Sequence, residues 1–136
     1  MNSANYKLFV TKKALKEGRK LSITEDSKNS IKEELMFLQY WPDSKDQFDF
    51  ETVNGLLKFN FDYVDGRHWI RVFVFQDDVR RIMWVLHVVE KKTNKLTTND
   101  IHVVNTLYKE MIRLQKKYIK DLEKFEIKFA VIKGGK

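Results

Sequence analysis

The stretch from Leu57 to Val89 constrains this chain more than any other part of it. Leu57-Lys58-Phe59-Asn60-Phe61-Asp62-Tyr63 alternates apolar and polar side chains, the period of a strand with one buried face. Asp65-Gly66 then supplies a dipeptide that tolerates positive φ in a two-residue hairpin turn, and His68 to Phe75 returns as the second strand. With Asp65 and Gly66 central, Val64 faces Arg67, and the pairs run outward as Tyr63 with His68, Phe61 with Ile70, Phe59 with Val72 and Leu57 with Val74. That face is almost wholly apolar. The opposite face pairs Asp62 with Trp69, Asn60 with Arg71 and Lys58 with Phe73. Beyond the turn Gln76-Asp77-Asp78-Val79, a third strand spans Arg80 to Val89. Its run Ile82 to Val89 is apolar on both sides, which places it inside the sheet.

The second turn leaves two registers open. A four-residue loop pairing Phe75 with Arg80 sets Trp84 opposite Arg71. A three-residue loop pairing Phe75 with Val79 sets Met83 there and turns His87 to the Arg71 side. Arg81 shares this ambiguity.

The flanks complete an α+β chain. Tyr6 to Val10 reads as a short strand, and Lys12 to Lys20 is a basic stretch broken at Gly18. Ser22 to Ser27 offers helix N-caps, and Ile31, Leu35, Met36 and Leu38 recur near helical spacing until Trp41-Pro42 ends the helix. Residues 43–54 read as a loop with a short extended piece. After Lys91-Lys92-Thr93-Asn94-Lys95, a cap at Thr98 or Asn99 opens a long helix whose stripe runs from Ile101 through Val104, Tyr108, Met111 and Leu114 to Phe125. Ile127 to Ile132 is a candidate edge strand, and 134–136 a frayed end. The expected architecture is one or more N-terminal helices, an antiparallel twisted sheet of three to four strands, and a long C-terminal helix, all in one domain covering 1–136.

Charge is unevenly spread along these elements. Residues 1–90 hold 14 basic and 14 acidic side chains, while 91–136 hold 12 and 5, so the whole excess of +7 is C-terminal. Clustered cations suit a phosphate backbone, an acidic protein or an anionic surface, although a lysine-rich helix face can equally be solvated and idle. On the polar face of the hairpin, Lys58, Asn60, Trp69 and Arg71 bring cations, an amide and a ring together, a combination that suits unpaired RNA. Phe73 and Phe75 on that face can instead pack under a helix, and His87 can be a satisfied core residue. The absence of cysteine excludes disulfides, thiol nucleophiles and cysteine-ligated metals. No apolar run is long enough for a membrane span, the start is too polar for a signal peptide, and a cytoplasmic setting is expected.

Leu86-His87-Val88-Val89-Glu90-Lys91-Lys92-Thr93-Asn94-Lys95 resembles the Leu-His-x-x-x-Lys-Lys-Thr-x-Lys signature of phage-derived Gp49-like toxins of the RelE/HigB superfamily. Gly55-Leu56 stands where that family has Gly-Leu-Tyr-Glu-Leu-Arg, and Trp69 to Phe75 resembles its Tyr-Arg-Val-hydrophobic strand. The similarity covers roughly residues 25–115. It departs from the family at Lys58, in the glutamate position, and at Asn60, in the position of the final arginine, which removes a phosphate contact.

The resemblance implies a RelE-like fold and a type II toxin that cleaves mRNA, usually on the ribosome, under control of a HigA-like antitoxin. No metal or other cofactor is implied. A base takes the ribose 2′-hydroxyl proton, cations stabilise the phosphorane, and an acid serves the leaving oxygen. By motif, Arg71 would stabilise phosphate charge, Lys91 and Lys92 would bind backbone or assist proton transfer, His87 is the conventional base, and Lys95 would hold flanking phosphate; from the polar face of the hairpin, Lys58, Asn60 and Trp69 would contact RNA. Residues 116–136 read as an extension. A catalytically silent binding module of the same fold and a gyrase-inhibiting toxin are the competing readings. All of this requires Arg71 and the Lys91/Lys92 pair to converge on one wet surface.

Overall fold

Two rows of alternating residues joined by a tight turn must pair, and they do so in the register that turn imposes. The computed structural model describes residues 4–63, 68–91, 95–115 and 126–127. In chain order the elements are β1 (Lys7–Thr11), α1 (Lys12–Arg19), α2 (Glu25–Met36), β2 (Phe50–Val53), β3 (Leu56–Tyr63), β4 (His68–Asp77), β5 (Ile82–Lys91), α3 (Thr98–Gln115) and β6 (Glu126–Ile127). From Leu57↔Val74 to Tyr63↔His68, every β3–β4 pair expected from the Asp65-Gly66 turn is present. The turn itself, with the Val64–Arg67 pair, lies outside the described residues.

The fold class is α+β, but the sheet is larger than the meander and it is mixed. Six strands lie in the order β2-β3-β4-β5-β1-β6. β1 runs parallel to β5, with Lys7 opposite Ile82 and Val10 opposite Val85, where an all-antiparallel sheet of three to four strands was expected. β1 and β2 are five and four residues long. Strands so short show little period of their own, and their partners are set by contacts distant in sequence. β5 lies between β4 and β1, with Ile82 to Leu86 fully buried, as its two-sided apolarity requires.

The second turn follows neither expected register. Asp77 pairs with Ile82, so the loop is Asp78 to Arg81, and Arg81 takes φ of 58°. Asp77 decides this. Its buried carboxylate accepts from the Val79 and Arg80 amides, the Arg80 guanidinium, the Trp84 indole and the Gln115 side chain. Arg80 in turn donates to the Leu114 and Gln115 carbonyls in the last described turn of α3. A bulge then interrupts the β4–β5 ladder: Val74 faces Val85 and Phe73 faces His87, leaving Leu86 as the extra residue.

The sheet has two cores. α1 and α2 cover Phe59, Phe61, Ile70, Val72, Val74, Met83 and Val85. Trp41, Phe48 and Phe50 close round Phe59, with ring centroids 4.9–5.8 Å from it. α2 begins one turn earlier than the apolar spacing suggests, because Thr24 accepts from the Ser27 amide as N-cap. A 3-10 turn over Phe37–Tyr40 extends it to the cis Trp41-Pro42 bond. On the other face α3 covers Phe73, Phe75, Ile82, Trp84 and Leu86, so Phe73 and Phe75 do pack under a helix. Gly55, at φ 93°, lets Tyr108 of α3 lie against the β2–β3 turn, where any Cβ would run into the ring. The stretch of the α3 stripe beyond Gln115, through Phe125, and the strand beyond Ile127 fall outside the described residues. Among the described residues no helix is long and apolar enough to cross a membrane.

Candidate functional site

Because side chains alternate along each strand and paired residues share a face, the registers assemble a block on the α3 side of the sheet. Its rows are Lys58–Phe73–His87, Asn60–Arg71–Val89 and Asp62–Trp69–Lys91, taken across β3, β4 and β5. Six of the eight residues singled out in the sequence therefore share one patch. Lys95 lies just beyond it, exposed on the way into α3, and Lys92 falls outside the described residues.

The cations converge, but the surface they form is not a wet one. Arg71 is only 2% exposed and is bound by Asp62 at 2.9 Å, with a further hydrogen bond to the Ile70 carbonyl. Lys58 is buried against Glu51, its cross-strand neighbour on β2, at 3.0 Å. Lys91 reaches Asp100 in the first turn of α3 at 2.6 Å. A charge moved out of water needs an opposite charge, and each of these three has one. The expectation of Arg71 and Lys91 as open phosphate contacts is corrected accordingly. An RNA phosphate would have to displace Asp62 and Glu51, whose side chains remain 54% and 58% exposed. The Asn60 side-chain oxygen is buried without a partner among the described residues, and Trp69 is half-buried beside Lys91.

His87 is buried as well, at 8% exposure, but it is held by different partners. The bulge turns it toward Phe73, whose ring stacks on it at 5.7 Å, so it faces the Arg71 side without the three-residue loop expected to bring it there. β1 stops pairing at Val10–Val85, and α1 occupies the edge of β5 beyond that point. From this helix Glu17 accepts the Val88 amide at 2.9 Å and lies 2.9 Å from His87 Nδ1, while Lys13 Nζ lies 2.6 Å from the same nitrogen. Burial alone would raise the Glu17 carboxyl, but the hydrogen bonds from His87, Lys13 and Val88 outweigh it and hold the group below its ordinary value. Asp100 is likewise pulled below the usual range, since Lys91 and Thr97 outweigh its burial.

This arrangement has a definite chemical consequence. Nδ1 faces an acceptor and a donor together. When Nδ1–H donates to Glu17, Nε2 carries the lone pair and can take a proton; when Lys13 donates to Nδ1, Nε2 carries the proton and can give one. Nε2 has no partner among the described residues. Lys13 and Glu17 were not singled out in the sequence. The only available signal was Glu17 standing as the one acid among the basic residues 12–20, and its meaning depends on where α1 docks. No group of three or more metal-ligating side chains occurs among the described residues.

Compared with family models, with curated proteins and with solved structures, the chain matches none.

Proposed function

We propose that this chain is a Gp49-like toxin of the RelE/HigB superfamily: an mRNA endoribonuclease acting with the ribosome in the cytoplasm, independent of metal and restrained by a HigA-like antitoxin. The single observation that carries the reading is His87, oriented through Nδ1 by Glu17 and Lys13, with Nε2 unpartnered among the described residues, in one block with Lys58, Arg71 and Lys91. The order of helix, three-stranded meander and helix, with a lysine-rich connection before the last helix, supports it as well. In this scheme Nε2 of His87 removes the 2′-hydroxyl proton or supplies one to the leaving oxygen. Lys58 and Arg71 stabilise the phosphorane once phosphate exchanges with Glu51 and Asp62; Lys92 and Lys95 hold the flanking backbone, joined by Lys91 once phosphate exchanges with Asp100.

The test is expression of the chain alone under a tightly controlled promoter. Growth arrest with cleaved transcripts is expected. His87→Gln keeps a hydrogen-bonding end but cannot shuttle a proton, and should slow cleavage by roughly 10²–10⁴-fold while the protein accumulates folded. Undiminished cleavage by this variant would remove His87 from the chemistry and the enzyme reading with it.

A second reading, a non-catalytic module of the same fold that binds nucleic acid or protein, is favoured by the carboxylate partner of each buried cation in the block. Salt-sensitive RNA or DNA binding with transcripts left intact is its signature. Arrest through DNA damage would instead mark a gyrase inhibitor.

A further inference from the structure

The α1/α2 side of the sheet contains a cleft that the proposed chemistry does not use. Its volume is about 310 Å³, and Ala14, Leu15, Ile31, Leu35, Val72 and Val85 supply its apolar walls. That is at the lower end for pockets that hold small ligands. An extended hydrocarbon chain suits an apolar volume of that order.

The rim has its own character. Arg19, Lys28 and Lys32 border the cleft against one acid, Glu25. Lys28 is engaged, donating to the Arg19 carbonyl at 2.9 Å and lying 3.9 Å from Glu25. The Arg19 and Lys32 side chains have no partner among the described residues. Two unneutralised cations at the mouth of an apolar cleft complement a ligand with a greasy tail and an anionic head.

Gly18 supplies an independent observation. It lines the cleft from α1, a Cβ placed on it would meet nothing within 4 Å, and its φ is not in the left-handed region. Neither backbone conformation nor close packing therefore calls for glycine there, although glycine costs a helix about 1 kcal/mol relative to alanine. Beside the cleft, at the penultimate position of α1, there is room for a longer side chain to enter it.

We infer that the cleft between α1, α2 and the sheet binds a single-chain amphipathic anion, of which a medium-chain carboxylate is the simplest form. The tail lies over Val72 and Val85, and the head meets Arg19 and Lys32. The site is distinct from His87: α1 presents Leu15 and Gly18 to the cleft and Lys13 and Glu17 to the imidazole. The inference does not depend on the chain being a toxin.

Calorimetric titration of the full chain with decanoate, with decanol and with anionic phospholipid vesicles tests it. Saturable one-to-one binding of decanoate is expected, with decanol weaker by about fivefold, the equivalent of a solvent-exposed ion pair. Gly18→Leu should fill the cleft, raise the melting temperature and abolish decanoate binding. Paired reversal, Arg19→Glu with Lys32→Glu, should weaken decanoate and leave decanol unchanged, and this comparison holds whether or not the leucine variant folds. No saturable binding of decanoate below its micelle-forming concentration overturns the inference, as does binding equal to that of decanol, undiminished binding by folded Gly18→Leu, or binding to vesicles alone.

Discussion

The two faces of the sheet solve the same packing problem with different materials. Under α1 and α2, paired strands present Phe59 with Val72 and Phe61 with Ile70, and the core there is built of hydrophobic side chains, with Tyr6 and Trp41 hydrogen-bonded to Gln76. Across the sheet α3 covers Phe73, Phe75 and Trp84, but toward the far ends of β3, β4 and β5 the same face holds Lys58, Asn60, Arg71, His87 and Lys91. Each buried cation there is matched by a carboxylate drawn from another element or an adjacent strand. Hydrophobic residues of similar size would serve stability as well or better. The polar block is thus the part of the molecule whose composition stability does not explain, and it is where chemistry should be sought.

The largest effect that would sharpen this contrast lies on the apolar face. Phe59→Ala, which empties the centre of the Trp41–Phe48–Phe50 cluster, should cost about 3–5 kcal/mol in denaturant unfolding. A smaller loss is expected on the polar face. Arg71→Ala should cost about 2–4 kcal/mol, below the top of the range for breaking a buried pair because Asp62 keeps half its surface in water. Arg71→Met, which replaces the charge with apolar volume, should stay within about 1 kcal/mol of the parent. If Arg71→Met folds and still arrests growth, Arg71 is a structural ion and leaves the catalytic scheme; if it folds and is harmless, the phosphate role stands.

The smallest expected effect is in pH dependence. A carboxyl held below its ordinary value by the folded state contributes its full stabilisation above that value and loses it as pH falls through the folded one. For Glu17 the ordinary value is 4.5 and for Asp100 it is 3.8, so both contributions are intact at neutral pH and fade in acid. Glu17→Gln should therefore lose less stability than the parent between about pH 6 and about pH 3, read as the difference between two melting-temperature profiles. Parallel profiles would mean that the Lys13–Glu17–His87 contacts do not hold α1 to β5.

Much of the fold could be read from residues, and the reasons differ by element. The β3–β4 register was legible because a two-residue turn fixes every pair that follows it. The β4–β5 register was not, because the buried carboxylate of Asp77 gathers partners from the loop, from Trp84 and from α3, and the bulge at Leu86 then moves His87 by one position. Lys58, Asn60, Trp69 and Arg71 share one patch because the β3–β4 register was right, and His87 and Lys91 join it through the β4–β5 register that was not legible; their exposure was misjudged because Asp62, on that same face, takes up Arg71 while Glu51 and Asp100 arrive from β2 and α3. Lys13 and Glu17 went unseen for a related reason. A basic helix reads as solvated until the edge it covers is known.

Sequence alone determined the meander, the helix boundary near Thr24, the apolar centre at β5 and the face on which Lys58, Asn60 and Arg71 sit. These follow from turn chemistry, periodicity and capping, which act between neighbours in the chain. The last helix begins where expected but is capped by Thr97, not by Thr98 or Asn99. Tertiary structure decided that β1 enters the sheet parallel to β5, that carboxylates of neighbouring elements seal the cations, and that α1 brings Glu17 and Lys13 to His87. Those outcomes depend on which distant groups meet in a desolvated space, and charge and hydrogen-bond energies there are set by the partner that arrives.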